Sequence, residues 1–567
     1  MPDQFNPILL EVLWNRLLSL VNEQARALIR ASFTTILREN EDLSCGVFDA
    51  QGQMIAQSTT GTPGHINSLA TGVENFLKRY PAHTLKQGDI LITNDPWLVS
   101  GHKHDISVLM PLFFRGKLVG FNGSTCHVLD IGGKVLSAEA TEVYEEGLEI
   151  PIMKLYKEGV PNDDLFELIA ANVRAADLVL GDIRAQVAAS EASGQKLVRF
   201  LEEYGLTDLE ELSRVILTTS ERAMRKEIES LPDGTYRHQI FLDGFDEPVK
   251  IAVAITIADT NIIVDYTGTS PQSKRGINVV KNYTHAYTTY AIKASICPEV
   301  PNNHGSFRPV KLVVPEGCIL NATFPAPVAA RHMTGHFCSP AVWGALAKVV
   351  PEKVLAESSA NCLTQFDGID AQGRSFVASF FTNGGMGARP NKDGLCTSAC
   401  PTNVGNTPVE VIENVYPFFI TKRELLPDSG GPGKFRGGLA QTFTLKLNSD
   451  RACTLSCLFE RVKFPARGYR AGKDGSPAEI VIKRANGELF RPHGKMRVIV
   501  YPEDEIEVKL AGGGGYGDPS QRDPELVLED VMSEVVSIES ARRDYKVDID
   551  LQKRSVDRQA TKKLRQV

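Results

Sequence analysis

The stretch at residues 91–133, LITNDPWLVSGHKHDISVLMPLFFRGKLVGFNGSTCHVLDIGG, holds three of the chain's 11 histidines, and each of them lies within four residues of an aspartate. Turn-forming Asn94-Asp95-Pro96 and Gly101 deliver His102, His104 and Asp105 to an apolar run at 106–114 that reads as a buried strand. Arg115-Gly116 is a hairpin turn, and the returning run at 118–121 leads through Ser124-Thr125-Cys126 to His127, Asp130 and the flexible Ile131-Gly132-Gly133. If the two runs pair, His102-x-x-Asp105 before the first and His127-x-x-Asp130 after the second fall at one end of the hairpin. Two imidazoles and carboxylates from separate segments suit zinc, manganese or ferrous iron, and such sets often leave a position for water or substrate. A single His-x-x-Asp pair is also the pattern of a capped turn with a satisfied imidazole, and both readings stay open from spacing alone. His104, between two ligand candidates, is expected to point away from the set.

Upstream of this stretch, Asn6-Pro7 reads as cap and first position of a long helix or two ending near Glu39-Asn40. Asp42 then precedes a strand and a turn at 49–52, and by itself reads as a solvated loop carboxylate. Residues 54–57 give the pairing strand, 62–65 a loop and 66–79 a helix. Downstream, the acids of 145–149 read as surface charge. Two helical tracts follow, 162–204 capped by Asn162 and 207–231 capped by Thr207. In the first, Arg174, Asp177, Asp182 and Gln186 read as helix-face salt-bridge partners.

After Pro232-Asp233-Gly234 the texture becomes short β-rich runs between Gly, Pro, Asn and Asp turns. The expected fold is α+β and multidomain: a helical and mixed-sheet region with the metal site at 1–231, a β-rich region with glycine-rich loops at 232–520, and a C-terminal helix with a frayed basic tail at 521–567. A length of 567 residues exceeds what one core usually organises. A hydrophobic content of 42%, 23% charged residues and a net charge of -7 describe a soluble globular chain without the basic field that nucleic acid requires. No apolar stretch reaches membrane-spanning length, no signal-peptide core opens the chain, and ten scattered cysteines fit reduced thiols in cytoplasm. The Cys-x-x-x-Cys pairs 396/400 and 453/457 lack zinc-ribbon spacing and read as core or loop thiols. Gly512-Gly513-Gly514-Gly515-Tyr516-Gly517-Asp518-Pro519 lacks the Lys and Ser/Thr of a phosphate loop, so no nucleotide site is expected in this chain.

A collinear set of motifs extends across almost the whole chain: Asn94-Asp95-Pro96, Gly101-His102, Asp105-Ile106, His127, Asp130-Ile131-Gly132-Gly133, Glu146-Gly147 and Gly181-Asp182-Ile183. It continues with Asn383-Gly384-Gly385-Met386-Gly387-Ala388, Asn406-Thr407-Pro408-Val409-Glu410, Asp428-Ser429-Gly430-Gly431 and Gly515-Tyr516-Gly517-Asp518-Pro519. On these residues the chain resembles the hydantoinase B, or oxoprolinase, family. The resemblance implies a partner, a hydantoinase A-like subunit that binds ATP and Mg, in a hetero-oligomer of the α2β2 kind. ATP there would phosphorylate a lactam or imide carbonyl, and hydrolysis would open the ring. Related carboxylases join bicarbonate to a ketone such as acetone or acetophenone, with a metal in the subunit this chain resembles. By position, the resemblance places a divalent metal, Zn or Mn before Fe, on Asp42, His102, Asp105 and His127, with Asp130 orienting His127 from behind. The family loop commonly reads Gly-Gly-Thr-His-Leu-Pro-Asp. Here residues 99–105 read VSGHKHD, which keeps the His and Asp but introduces Lys103 and His104. Three functions therefore follow as expectations: a subunit of an ATP-dependent cyclic amidase, a subunit of a ketone carboxylase, or a metal-stabilised scaffold.

Overall fold

The computed structural model describes residues 5–566 and has two compact units, Met1–His238 with Ala252–Val342, and Gln239–Ile251 with Trp343–Val567. The first unit opens with α1 (Pro7–Ala31), where Asn6 accepts the Leu9 N–H at 2.8 Å and Pro7 takes the first helical position, followed by the single turn α2 (Thr35–Arg38). Its sheet uses β1 (Leu43–Asp49) and β2 (Met54–Gln57), then, beyond α3 (Pro63–Arg79), β3 (Ile90–Thr93), β4 (Asp105–Phe114), β5 (Lys117–His127), β6 (Met153–Lys157) and β7 (Val160–Pro161). The strands are antiparallel in the order β2-β1-β5-β4-β3-β6-β7.

The expected hairpin is β4 and β5, closed by Arg115 and Gly116 with φ of 50° and 81°. Two consecutive positive φ values are what a two-residue hairpin turn uses to match strand twist. The runs read as continuous rather than alternating because both faces of the sheet are covered. On one face Ile66, Leu69, Val73 and Phe76 of α3 pack with Phe48, Leu91, Leu109 and Phe121. On the other lies α5 (Ala176–Glu203), which follows α4 (Asp163–Asn172). A methyl group added at Gly194 would sit 2.9 Å from both Leu112 and Met110, and Asn122 Nδ2 donates to the Ser190 carbonyl at 3.1 Å.

Several local expectations change. α3 starts at Pro63 with Thr62 as its cap residue, so 62–65 is not a loop, and His65 lies in a helical first turn against the sheet. The helical tract after Asn162 breaks at 173–175, and α6 (Glu210–Glu229) is preceded by Asp208, whose carboxylate accepts the Glu210 N–H at 3.0 Å, rather than by a Thr207 cap. Asp182 is not a helix-face ion-pair partner: its carboxylate takes the Phe33 N–H at 2.7 Å and the Thr34 hydroxyl at 2.6 Å. Gln186 accepts from the Ser124 hydroxyl at 3.1 Å.

The texture change near 232 is the passage from α6 into β8 (Gly234–Leu242), which pairs in the order β11-β10-β9-β8 with β9 (Val249–Ala258), β10 (Asn261–Asp265) and β11 (Val310–Val313). The first compact unit runs on through that point to Val342. It also holds α7 (Lys281–Ile296), α8 (His304–Phe307) and α9 (His332–Gly335), and α10 (Cys338–Leu346) carries the chain into the second unit.

The second unit is β-rich, as expected. One sheet joins β12 (Asn361–Ile369), β13 (Ser375–Asn383), β16 (Cys453–Leu458) and β19 (Arg497–Val500). The other joins β14 (Phe418–Leu425), which follows α11 (Val409–Val415), with β15 (Gln441–Leu447), β17 (Glu479–Lys483), β18 (Leu489–Phe490) and β20 (Glu505–Lys509). Phe366, Phe380, Phe418, Leu445, Leu455 and Ile506 from both sheets share one core. The expected single strand 496–510 is two strands, because the chain turns at Tyr501–Asp504 and changes sheet.

The glycine-rich segments of this unit enclose one another. The Gly438 N–H donates to the Met386 carbonyl at 2.8 Å, Gly513 N–H to Gly438 at 3.0 Å and Gly431 N–H to Gly513 at 2.8 Å. A Cβ on Gly385 would lie 1.8 Å from the Gly438 carbonyl oxygen, so the backbones meet where no side chain fits. The amides of 512–517 donate to backbone carbonyls of the neighbouring segments. Beyond them the expected single helix over 524–545 is two, α12 (Pro524–Met532) and α13 (Ile538–Arg543). The basic tail is ordered by the β21 (Ile549–Asp550) and β22 (Ser555–Val556) hairpin and by α14 (Arg558–Arg565), which Asp557 caps. Among the described residues no helix is long and apolar enough to cross a membrane, and none of the ten cysteines is in a disulfide.

A candidate metal centre

Asp105 and His127 are directly opposed residues at the open end of the β4–β5 ladder. The loop before β4 is held by Asn94, whose amide donates to the Lys103 carbonyl at 2.8 Å and whose oxygen accepts the Ile150 N–H at 2.6 Å. That loop returns His102 over Asp105. His102 Nε2 lies 2.7 Å and His127 Nδ1 3.1 Å from the same oxygen, Asp105 Oδ1. Ligand-capable atoms of the three residues fall within 4.8 Å of one another, and all three residues are buried. The other oxygen, Oδ2, meets His65 Nε2 at 3.0 Å and the Arg331 guanidinium.

Burial by itself would push the Asp105 carboxyl up, but the Arg331 guanidinium beside it holds it well below the usual carboxylate range. Burial, reinforced by Arg331, pushes His102 down to about 3, so its imidazole is neutral at physiological pH. His102 Nδ1 lies 2.7 Å from the Ala329 carbonyl oxygen, which only accepts, so Nδ1 carries the proton. Nε2 then presents a lone pair to an ionised carboxylate oxygen 2.7 Å away. Two lone pairs at that distance repel unless a cation is shared between them. His104 has neither ring nitrogen hydrogen-bonded although it is fully buried, and His65 Nδ1 is likewise without a hydrogen bond, 3.7 Å from Asp42 Oδ1. Neutral imidazoles, a fixed carboxylate and unsatisfied nitrogens around them are a donor set that fits a divalent cation.

The structure thus gathers His102, Asp105 and His127. Asp42 lies one step out: its carbonyl accepts the His127 N–H at 3.1 Å, while its carboxylate faces His65 rather than joining the three. Asp130 is tied to the turn after β5. Its carboxylate accepts the Gly132 N–H at 3.0 Å, the Arg174 N–H at 2.5 Å and Arg174 Nη1 at 2.9 Å, which fixes the turn after β5 and takes Arg174 out of any helix-face pairing. His104 stays outside the three, yet its ring is stacked on His127, with centroids 5.6 Å apart and planes at 14°. Lys103 is buried, and its ammonium reaches the Gly147 carbonyl at 3.0 Å.

Three residues of the centre are not marked by their local sequence. His65 reads as a loop residue, although Thr62-Pro63 is a cap-and-N1 pattern that signals a helix start. Arg331 stands 226 positions from Asp105, with no local motif to mark it. Glu146, expected as surface charge, is 1% exposed, and one of its oxygens accepts the N–H groups of Val328 at 2.6 Å and Ala329 at 2.8 Å. Burial pushes its carboxyl up to about 8.

Fold and site together define a class: an α+β chain of two units with a buried two-histidine, one-aspartate centre at the mouth of a β-hairpin. The profile of the hydantoinase B/oxoprolinase family matches residues 6–519, and the chain belongs to that family. It is 32% identical over 589 residues to a protein of Pseudomonas sp. (strain NS671) that is provisionally named as the B-type subunit of a D-/L-hydantoinase, covering all of this chain and 98% of the relative. The ATP-dependent caprolactamase structure from Pseudomonas jessenii superposes with a TM-score of 0.91 at 26% identity, covering 100% of both chains. A nucleotide-free acetone carboxylase structure shares the fold, with a TM-score of 0.89 at 19% identity over 99% of this chain and 82% of that one.

Proposed function

We propose that this chain is the metal-bearing B-type subunit of an ATP-dependent cyclic amidase that opens a lactam, imide or hydantoin ring. A hydantoinase A-like partner binds ATP and Mg and phosphorylates the ring carbonyl, in an α2β2-like assembly located in the cytoplasm. The observation that carries this reading is the Asp105 oxygen shared by the imidazoles of His102 and His127, in a chain that matches a caprolactamase from end to end.

His102, Asp105 and His127 would hold the metal, Zn or Mn before Fe, with Asp42 completing the set across His65. When bound, a divalent ion supplies Lewis acidity, polarising a carbonyl or lowering the pKa of a water. The chain's own residues do the rest. Arg331 keeps Asp105 ionised, the Ala329 carbonyl keeps the His102 proton on Nδ1, and His65 spans the two carboxylates. Burial of all of these excludes bulk water from the centre, which strengthens each electrostatic contact.

The test is metal analysis of the purified chain together with ATP hydrolysis by the chain and its co-expressed partner. Substrates offered are caprolactam, 5-oxoproline, hydantoins, and ketones with and without bicarbonate. Stoichiometric metal and ATP turnover stimulated by a cyclic amide without bicarbonate are expected. Turnover that needs a ketone and bicarbonate replaces the reading with a carboxylase, and metal without any substrate response reduces the centre to a structural site.

A further inference from the structure

The turn carrying Glu146 touches the metal loop by two routes that the ligand set does not include. Gly147, with φ of 108°, presents its carbonyl to Lys103, the residue directly after His102. Glu146 binds two consecutive peptide N–H groups, those of Val328 and Ala329, through a single oxygen. The carbonyl of that same Ala329 holds the His102 Nδ1 proton, and two residues on, Arg331 reaches Asp105 Oδ2 and donates from Nε to the Ser100 carbonyl at 2.6 Å. The 328–331 segment is therefore a strap that supplies the outer contact of both His102 and Asp105. Glu146 is the side chain that sets where its peptide planes lie. The carboxyl's second oxygen, Oε2, is buried without a hydrogen bond, so the first oxygen carries the group's hydrogen bonds.

We infer that Glu146 is a positioning residue of the metal centre, acting through the Val328 and Ala329 peptides to fix the carbonyl that keeps the His102 proton on Nδ1 and leaves Nε2 free to bind metal. The inference rests on the metal reading of the centre. Partners behind a ligating histidine typically contribute about 10–100-fold to metal affinity. Glu146→Gln keeps an oxygen for the two N–H groups, whereas Glu146→Leu keeps the bulk and removes the acceptor.

The experiment measures zinc and manganese affinity of the full chain by competition with a chromogenic chelator. Each variant's melting temperature is recorded with and without added metal. Glu146→Leu is expected to lose affinity by about 10–100-fold and to lose most of the metal-induced rise in melting temperature, while Glu146→Gln stays close to the wild type on both. Equal affinity in the wild type and Glu146→Leu overturns the inference, as does a melting temperature lowered by the same amount with and without metal, the mark of a merely structural residue. Should the leucine variant not fold, Glu146→Asp, which withdraws the oxygen by one methylene, takes its place under the same criteria. A wild type that binds no metal at all overturns the metal reading itself, a result visible before any variant is made.

Discussion

Asp105 and Arg331, far apart in the chain, form a fully buried ion pair in which the guanidinium also lies 3.9 Å from the centroid of the Tyr283 ring. The pair turns a carboxylate that burial would protonate into a permanent anion ringed by His65, His102 and His127. Removing one partner leaves the other charged and unpaired in the interior. Asp105→Asn should therefore abolish metal retention and lower the unfolding free energy by about 3–5 kcal/mol, measured by urea denaturation of metal-stripped protein. A stability loss below about 1 kcal/mol would show that Arg331 finds water or another anion.

His102→Ala separates metal binding from partner chemistry. On the proposed function, the chain should still assemble with an ATP-hydrolysing partner that keeps its basal turnover, and both metal content and ring opening should be lost. Ring opening that persists in protein shown to be metal-free would remove the centre from the reaction.

In the second unit, Glu357 is buried between Arg461 Nη1 at 2.9 Å and Arg467 Nε at 2.8 Å. Arg461 is itself enclosed. Glu357→Ala should cost about 3–5 kcal/mol in chemical denaturation. Arg467→Ala, at the exposed side of the network, should cost less than about 1 kcal/mol.

Acid sensitivity follows from carboxyls held below their usual range. Burial opposes ionisation of Asp393 and Glu357, but Arg522 outweighs it for the first, and Arg461 with Arg467 for the second. A depressed folded-state pKa adds stability above the unfolded value, near 4. That stability is lost as pH falls through the lower folded value. Melting temperature should drop steeply as pH is lowered below about 4, and Asp393→Asn should flatten that limb while leaving a protein less stable at neutral pH. An unchanged acid limb would place the sensitivity elsewhere.

Gly385→Ala should prevent proper folding of the second unit, because its Cβ would overlap the Gly438 carbonyl at 1.8 Å. Gly116→Ala, with open space around it but φ of 81°, should cost only about 1–2 kcal/mol. Limited proteolysis and circular dichroism of the two variants distinguish them. Comparable behaviour would show that the loops can part.

What the sequence made legible was local. The Arg115-Gly116 turn and the apolar runs beside it specified a hairpin, and the hairpin placed Asp105 opposite His127. The helix that holds His65 was foreshadowed by Thr62-Pro63, yet nothing local distinguishes an imidazole facing a sheet from one in a loop. Glu146 reads as surface beside Glu145 because adjacent acids have identical local patterns whether buried or wet; only the Val328 and Ala329 amides, far along the chain, separate them. Asp130 repeats the His-x-x-Asp spacing of the first pair but lies beyond the end of the β5 ladder, where its carboxylate accepts the Gly132 and Arg174 N–H groups. Spacing finds residues that a regular element carries, and it fails where a return of the chain decides the partner.

The mutual enclosure of the glycine segments also sets an order of events during biosynthesis. The segments around Gly385, Gly431 and Gly438 complete their amide contacts only when residues 511–515 arrive, because those residues supply the opposing carbonyls and N–H groups. More than a hundred residues of loop must close before the earliest of them is satisfied, and such long closures slow assembly. The second unit therefore matures only after residues 511–515 have left the ribosome, whereas the β4–β5 hairpin, joined by two residues, forms early. Asp105 and His127 are thus opposed across that hairpin before the second unit closes.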